Sequence, residues 1–115
     1  VHHMYLSSIG FSLNSISCKF GGGSQAGLHI ETLVRDLASG RVHIGDDFLI
    51  LDVVEHQGKL LSLRNRRLWC LKRYAEEHLG SDVSIPVRVW PLRQGVRIFP
   101  EGYDIMLKFK NSYTA

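Results

Sequence analysis

Apolar residues repeat at helical spacing in two segments of the chain. The first segment predicts a helix over residues 28–37, with Gly40 as its C-terminal stop. The second predicts a helix that begins at about Arg66 and is ended by Gly80. On each predicted helix four apolar residues share one face, namely Ile30, Leu33, Val34 and Leu37 on the first and Leu68, Leu71, Ala75 and Leu79 on the second.

Strand patterns precede and separate these helices. Within residues 8–20, apolar positions at 9, 11 and 13 have the period of two that is typical of a half-buried strand. Residues 48–54 are a nearly continuous apolar run, which predicts a buried strand. The turn signal Gln57-Gly58 follows, and residues 59–63 are predicted to return as the antiparallel partner and to lead directly into the second helix.

The C-terminal part of the chain adds one clear strand and one ambiguous segment. Residues 85–91 alternate as a strand, and their prolines favour an edge or strand-end position. Further on, glycines and a proline interrupt the pattern, and a last strand at 104–109 is one interpretation. The order strand, helix, hairpin, helix, strand predicts an α+β fold, with helices packed on a small mixed sheet in one compact domain.

The composition is that of an ordinary globular domain. Hydrophobic residues make up 44% and charged residues 22% of the chain, which excludes wholesale disorder. The chain has no run of about 18 apolar residues and no signal-peptide pattern at its N-terminus, so no membrane partner is expected. Cys18 and Cys70 have neither a CxxC nor a zinc spacing. Although a disulfide between them remains open, two free thiols in a reducing, intracellular compartment are the favoured interpretation.

Charge is distributed unevenly along a chain whose net charge is only +3. Between residues 59 and 73 there are six basic residues and no acidic one: Lys59, Arg64, Arg66, Arg67, Lys72 and Arg73. Four acidic residues lie just upstream: Asp46, Asp47, Asp52 and Glu55. A local field of one sign attracts phosphate more strongly than the net charge suggests.

The basic segment coincides with the predicted strand-to-helix junction Arg64-Asn65-Arg66-Arg67. The first N–H groups of a helix are unpaired and its dipole is positive there, so arginines at this end are unfavourable unless an anion compensates them. The planar guanidinium group suits phosphate or carboxylate. We therefore predict an anion site. The alternative is that these arginines pair with the upstream acidic residues and only hold the fold.

The segment from Gly58 to Leu71 resembles the strand-to-helix signature of the ParB/sulfiredoxin superfamily. Members of this superfamily place Gly-Glu-Arg-Arg or Gly-Gly-Cys-His-Arg after a strand, with a small residue three positions beyond the last arginine. In this chain Arg64 occupies the position of the motif glycine, and Asn65 occupies the position of the glutamate or cysteine. Arg67 matches the last arginine of the motif, and Arg66 is the residue before it. Cys70 matches the small residue three positions further on.

The resemblance covers residues 7–92 as one domain and leaves residues 93–115 as a C-terminal extension. It implies that Arg64, Asn65, Arg66 and Arg67 bind phosphate in a nucleotide, ATP or CTP with Mg²⁺. Because members of the superfamily include DNA-binding partitioning clamps, sulfiredoxins, a free-serine kinase and proteins described as nucleases, nucleic acid is a second expected partner. The alternatives are a phosphotransferase or nuclease of the superfamily, and a non-catalytic module that keeps the fold and binds a protein partner.

Three departures from the family pattern bear on function. Asn65 stands where sulfiredoxins have their nucleophilic cysteine, so sulfiredoxin activity is not expected. Arg64 replaces the glycine and would crowd a phosphate approaching the backbone. The length of 115 residues leaves no room for the helix-turn-helix domain with which partitioning proteins bind specific DNA. No catalytic residue is assigned.

The remaining polar and aromatic residues are interpreted structurally. The upstream acidic residues are expected in ion pairs rather than around a metal, with Arg66 or Arg67 as the partner of Asp52. The histidines have no metal-ligand spacing. Trp69 lies one residue off the apolar face of its helix, so it is expected to be partly exposed and available for stacking, whereas Trp90 is expected to be at least half-buried.

Overall fold

The computed structural model describes residues 1–13, 15–16, 28–92, 98 and 108–109. Cys18 lies outside the described residues, and so does most of the segment interpreted as a last strand. Seven strands are present in the described part: β1 (His2–Tyr5), β2 (Ile9–Phe11), β3 (Ser15–Ile16), β4 (Leu51–His56), β5 (Lys59–Ser62), β6 (Ser84–Trp90) and β7 (Lys108–Phe109). The helices are α1 (Ile30–Ser39) and α2 (Asn65–Tyr74).

Five of the strands form one mixed sheet in the order β1-β6-β4-β5-β2. The β1/β6 and β4/β5 pairs are antiparallel, and the β4/β6 and β2/β5 pairs are parallel. Strands β3 and β7 pair in parallel as a separate ribbon. The α+β fold with a small mixed sheet and helices packed on it is confirmed.

The sheet is curled, and the chain length between its edges requires this. The two edge strands β1 and β2 are consecutive in sequence, joined only by the 3-10 turn Leu6–Ser8. A flat five-stranded sheet would separate its edges by about 19 Å, four spacings of about 4.8 Å. The four residue steps from Tyr5 to Ile9 span at most about 14 Å. The sheet must therefore bend until its two edges approach each other.

The hydrophobic core lies between the concave sheet and the two helices. Helix α1 buries the four apolar residues of its predicted face, and Gly40 ends the helix in the left-handed conformation with φ 82°. The Nδ1 atom of His29 accepts a hydrogen bond from the backbone N–H of Glu31 and caps the N-terminus. Helix α2 packs against α1, and the thiol of Cys70 donates to the carbonyl of Ile30 across this contact. Both predicted helices are thus confirmed, the first with its whole apolar face buried and the second with Leu68, Leu71 and Ala75 buried.

The predicted hairpin is confirmed with shifted ends. Strand β4 begins at Leu51, because residues 47–49 wind into a 3-10 turn. Gln57 and Gly58 both have positive φ, 53° and 82°, as the two central residues of a tight hairpin turn require. Strand β5 ends at Ser62, and α2 begins at Asn65, one residue before Arg66.

Two details of the predicted pattern are wrong. Leu79 is 42% exposed. The reason is that residues 75–79 form a π-helical turn, in which the Gly80 N–H donates to the Ala75 carbonyl five residues back, and the wider turn carries Leu79 off the apolar face. Strand β6 is an interior strand, so the edge alternative is wrong, whereas Pro91 directly follows the last residue of the strand and fits the strand-end alternative. Its Pro86 pairs with β1 only, since the register with β4 begins one residue later.

Strand β1 was not predicted from the sequence, and the period-two strand is shorter than expected because β2 ends at Phe11. Among the described residues, neither helix has the length and apolar character needed to cross a membrane.

Candidate anion-binding site

The predicted junction is a sharp transition from the sheet to the start of α2. Strand β5 is followed after two residues by the helix, with Arg64 as its N-cap residue. No side chain forms a capping hydrogen bond, and no acidic residue lies in the first turn. The Arg64 N–H instead donates to the hydroxyl of Ser62 at 2.9 Å, which gives that serine a structural role. The helix therefore starts with its positive end uncompensated by its own residues.

Asp52 of β4 is the centre of the site. Its Oδ2 accepts from Nε of Arg64 at 3.0 Å, and its Oδ1 accepts from the indole Nε1 of Trp90 at 2.9 Å. A second guanidinium, that of Arg88, lies 4.0 Å from Oδ1. The carboxylate is 15% exposed, whereas the two arginines are 56% and 47% exposed. One largely buried carboxylate thus lies beside two exposed arginines and an aromatic ring.

The backbone explains why these residues meet. In the parallel β4/β6 register, Arg88 stands directly beside Asp52. The N–H of Leu63 donates to the Asp52 carbonyl at 2.8 Å, so the chain reaches Arg64 next to the same residue. The expectation that Arg66 or Arg67 is the partner of Asp52 is wrong, because this backbone contact gives that place to Arg64.

Arg67 lies behind the exposed pair. Its Nη1 donates to the backbone carbonyl of Ile50 at 2.8 Å, and the side chain is partly buried. Burial lowers the pKa of Arg67, and the positive charges of Arg64 and Arg88 lower it further, while Asp52 opposes them. An arginine stays protonated in proteins despite such a shift, so three positive charges act on one another around one carboxylate.

Asn65 points into the protein and away from the exposed arginines. It is buried, its Oδ1 accepts from the Ser12 backbone N–H at 2.8 Å, and its Nδ2 donates to the Ser12 hydroxyl at 2.9 Å. Arg66 follows it on α2 and is partly buried. The four residues predicted as the phosphate site therefore lie together in sequence but face different surroundings, and Arg64 is the most exposed of them.

An open pocket of about 320 Å³ adjoins this cluster and is lined by Asp52, Leu63, Arg64 and Trp90. Sequence reasoning missed the contributions of Arg88 and Trp90. They follow the arginine motif by more than twenty residues, and only the parallel pairing of β6 with β4 brings them to it. The alternation of side chains along β6 was the available signal, since it places both residues on the face opposite to the buried Val87.

The other candidate residues have structural surroundings. Among the described residues, no group of three or more histidine, cysteine, aspartate or glutamate side chains is placed to hold a metal ion. The expectation of a partly exposed Trp69 is wrong, because it is buried beneath the guanidinium of Arg73, 5.2 Å from the ring centroid. Trp90 is about half-buried, at the limit of its expectation, since 45% of it is exposed. Cys70 is a free, fully buried thiol, and burial raises its pKa.

Chemically, the arrangement is suited to binding an anion. The guanidinium groups of Arg64 and Arg88 carry further N–H donors beyond those directed at Asp52, and both side chains extend into solvent. Both oxygens of Asp52 are already hydrogen-bonded, which makes it a positioning group rather than a free base.

Comparison with protein-family models, with curated proteins and with solved structures finds no match to this chain. The resemblance to the ParB/sulfiredoxin superfamily therefore rests on the residues of the strand-to-helix signature and the order of the elements around it.

Proposed function

We propose that this ParB/sulfiredoxin-like domain binds a phosphate-bearing ligand, a nucleotide or nucleic acid, at the strand-to-helix turn that begins α2. The observation that carries the proposal is the excess of positive charge there: among the described residues, Arg64, Arg67 and Arg88 surround the carboxylate of Asp52. The uncapped start of α2 adds the positive end of its dipole. A bound phosphate would relieve the repulsion among the arginines.

The arginines of the site have different roles in this proposal. Arg64 and Arg88 are the direct phosphate contacts, since about half of each side chain is in solvent. Arg67 supports the site from behind through its bond to the Ile50 carbonyl and adds long-range charge. ATP or CTP, each with Mg²⁺, are the nucleotides that the superfamily resemblance suggests. The same resemblance includes Asn65 and Arg66 in the phosphate-binding motif.

A thermal-shift screen tests the proposal. ATP, CTP, GTP and short DNA are added with and without Mg²⁺, and a ligand at a hundredfold excess over its Kd should stabilise the fold by about 2.7 kcal/mol. Arg64→Ala should bind the same ligand more weakly, by about 1.5–3 kcal/mol for a charge-assisted contact. Arg41→Ala is the matched control, because Arg41 is an exposed arginine that pairs with Asp36 and is not among the residues that line the pocket.

Two results would contradict the proposal. The first is that no phosphate-bearing ligand shifts the unfolding temperature of the wild type. The second is that Arg64→Ala and Arg41→Ala bind equally well, which would place the binding site elsewhere.

A protein-interaction module is the second candidate function. A groove of about 460 Å³ runs between α1 and the end of α2, with Trp69 at its base and charged side chains such as Arg35 and Glu77 along it. The internal bond of Arg67 also favours this alternative, because it uses a motif arginine to hold the fold. Charge reversal at Arg35 would then abolish partner binding while leaving phosphate binding unchanged.

A further inference from the structure

Trp90 is an exposed aromatic ring that is held in place. It ends β6, and 45% of it is exposed. Its indole N–H donates to Oδ1 of Asp52 at 2.9 Å, and the same carboxylate is bonded to Arg64. A tryptophan anchored at its polar atom presents its ring in one orientation, so little conformational entropy is lost when a flat group stacks on it.

Positive charge accompanies this ring. Arg88 precedes Trp90 by two residues on β6, so both side chains leave the same face of the sheet. Arg64 reaches the other oxygen of Asp52 from the start of α2. The ring and Arg64 line one open pocket. An aromatic platform among arginines is the arrangement that binds unpaired bases and their phosphates.

We propose that the ligand of this site is single-stranded nucleic acid, with one unpaired base stacked on Trp90 and neighbouring phosphates bound by Arg64 and Arg88. This inference rests on the proposed phosphate-binding function. A duplex keeps its bases paired and stacked, so none is available to the ring. A single mononucleotide is favoured less, because its sites usually enclose most of the ligand, whereas here the pocket is open and its side chains are about half exposed.

The experiment measures the binding of short oligo(dT) and oligo(U), a duplex of the same length and thymidine monophosphate, each at several salt concentrations. We expect both single strands to bind more tightly than the duplex or the mononucleotide and to quench tryptophan fluorescence. Binding of either polymer supports the proposal, and the tighter one identifies DNA or RNA as the source. Trp90→Ala should weaken oligonucleotide binding at least about fivefold, the loss of one stacked base. Trp90→Phe keeps a ring and should retain most of the affinity without the quenching.

The arginines provide a separate measurement. Arg88→Gln should reduce the slope of log K against log salt by about 0.7, the value for one phosphate contact on a single strand. Arg41→Gln, a change at an exposed arginine that is not among the residues lining the pocket, should leave the slope unchanged.

The results separate the two proposals. If oligonucleotides bind to Trp90→Ala as to the wild type, or if the duplex binds as tightly as the single strand, the stacking inference is wrong while phosphate binding stands. If none of the phosphate-bearing ligands binds to the wild type, both proposals are wrong. Circular dichroism of each variant confirms that it is folded. If Trp90→Ala is not folded, Trp90→Leu, which keeps a large apolar side chain but has no ring, provides the stacking test and should show the same loss of affinity.

Discussion

At the scale of single residues, Asn65 shows how a motif position can serve the fold. In the resemblance it takes the place of a catalytic cysteine, yet its amide bonds to both the N–H and the hydroxyl of Ser12 inside the protein. The Ser12 hydroxyl in turn donates to the Ser62 carbonyl at 2.6 Å. All three residues are buried, so this network joins the end of β2, the end of β5 and the start of α2. The absence of sulfiredoxin activity stays a prediction, and the inward orientation of residue 65 gives a second reason for it.

We predict that Asn65→Ala lowers the free energy of unfolding by about 1–3 kcal/mol, because it leaves the buried N–H of Ser12 without its acceptor. Urea denaturation measures this. In a double-mutant cycle with Ser12→Ala the two losses should not add, since the side chains bond to each other. Ser39→Ala, at an exposed serine, is the control and should change stability by less than about 0.5 kcal/mol. Additive losses in the cycle would show that the network is not coupled.

At the scale of secondary-structure elements, periodicity and turn residues were sufficient for the local structure. Helix α1, the β4/β5 hairpin and the start of α2 follow from apolar spacing together with Gln57-Gly58 and the helix-ending glycines. Strand β1 has no such signal, because three of its four residues are exposed and its pairing with β6 depends on residues 79 to 85 positions away. Gly80 ends the helical segment as predicted, but the exposure of Leu79 escaped prediction because a π-helical turn changes the spacing that periodicity assumes.

The candidate site was predictable only where it is local in sequence. The junction of β5 and α2 was found because the arginines and the helix start are adjacent along the chain. The ring of Trp90, the charge of Arg88 and the true partner of Asp52 depend on the parallel β4/β6 register. Register between distant strands is set by the packing of the whole core, so no short window of sequence contains it.

The hairpin turn provides a prediction at this scale. Gln57 has a φ of 53°, a left-handed conformation that costs most residues energy and that asparagine tolerates better. Gln57→Asn should therefore raise the free energy of unfolding by up to about 1 kcal/mol, since Asn-Gly is a preferred pair for this turn. Thermal denaturation measures the gain. Gly58→Ala, at φ 82° with open space around it, should be destabilising. A neutral Gly58→Ala variant would contradict this account of the turn.

At the scale of the whole molecule, the N-terminal segment connects the two edges of the curled sheet. Residues 2–11 supply both edge strands. The 3-10 turn between them is hydrogen-bonded to the segment before β6 and to α2. The carboxylate of Asp82 accepts hydrogen bonds from the N–H and the hydroxyl of Ser7, and the N–H of Leu6 donates to the Val83 carbonyl at 2.9 Å. The ammonium group of Lys72 on α2 donates to the Leu6 carbonyl at 3.0 Å. The turn therefore couples the sheet edges to the segment that enters β6.

The contact of Asp82 with this turn makes the stability of the fold sensitive to acid. Its hydrogen bond from the Ser7 hydroxyl, followed by those from the backbone, lowers its pKa below the ordinary value of 3.8. A carboxyl group whose pKa is lower in the folded state stabilises the fold above its unfolded pKa, and that stabilisation is lost as the pH falls through the folded value.

We therefore expect the unfolding temperature to lose the contribution of Asp82 below about pH 4. Asp82→Asn should be less stable than the wild type at pH 7, and the difference should shrink as the pH falls below 4, because Asp82 then becomes protonated in the wild type. The other carboxyl groups titrate in both proteins and cancel from the difference. Ser7→Ala removes the largest cause of the shift, so in that background the effect of Asp82→Asn should be smaller. If the difference in unfolding temperature between the wild type and Asp82→Asn stays constant from pH 7 to pH 2, the loss of stability in acid does not originate at this contact.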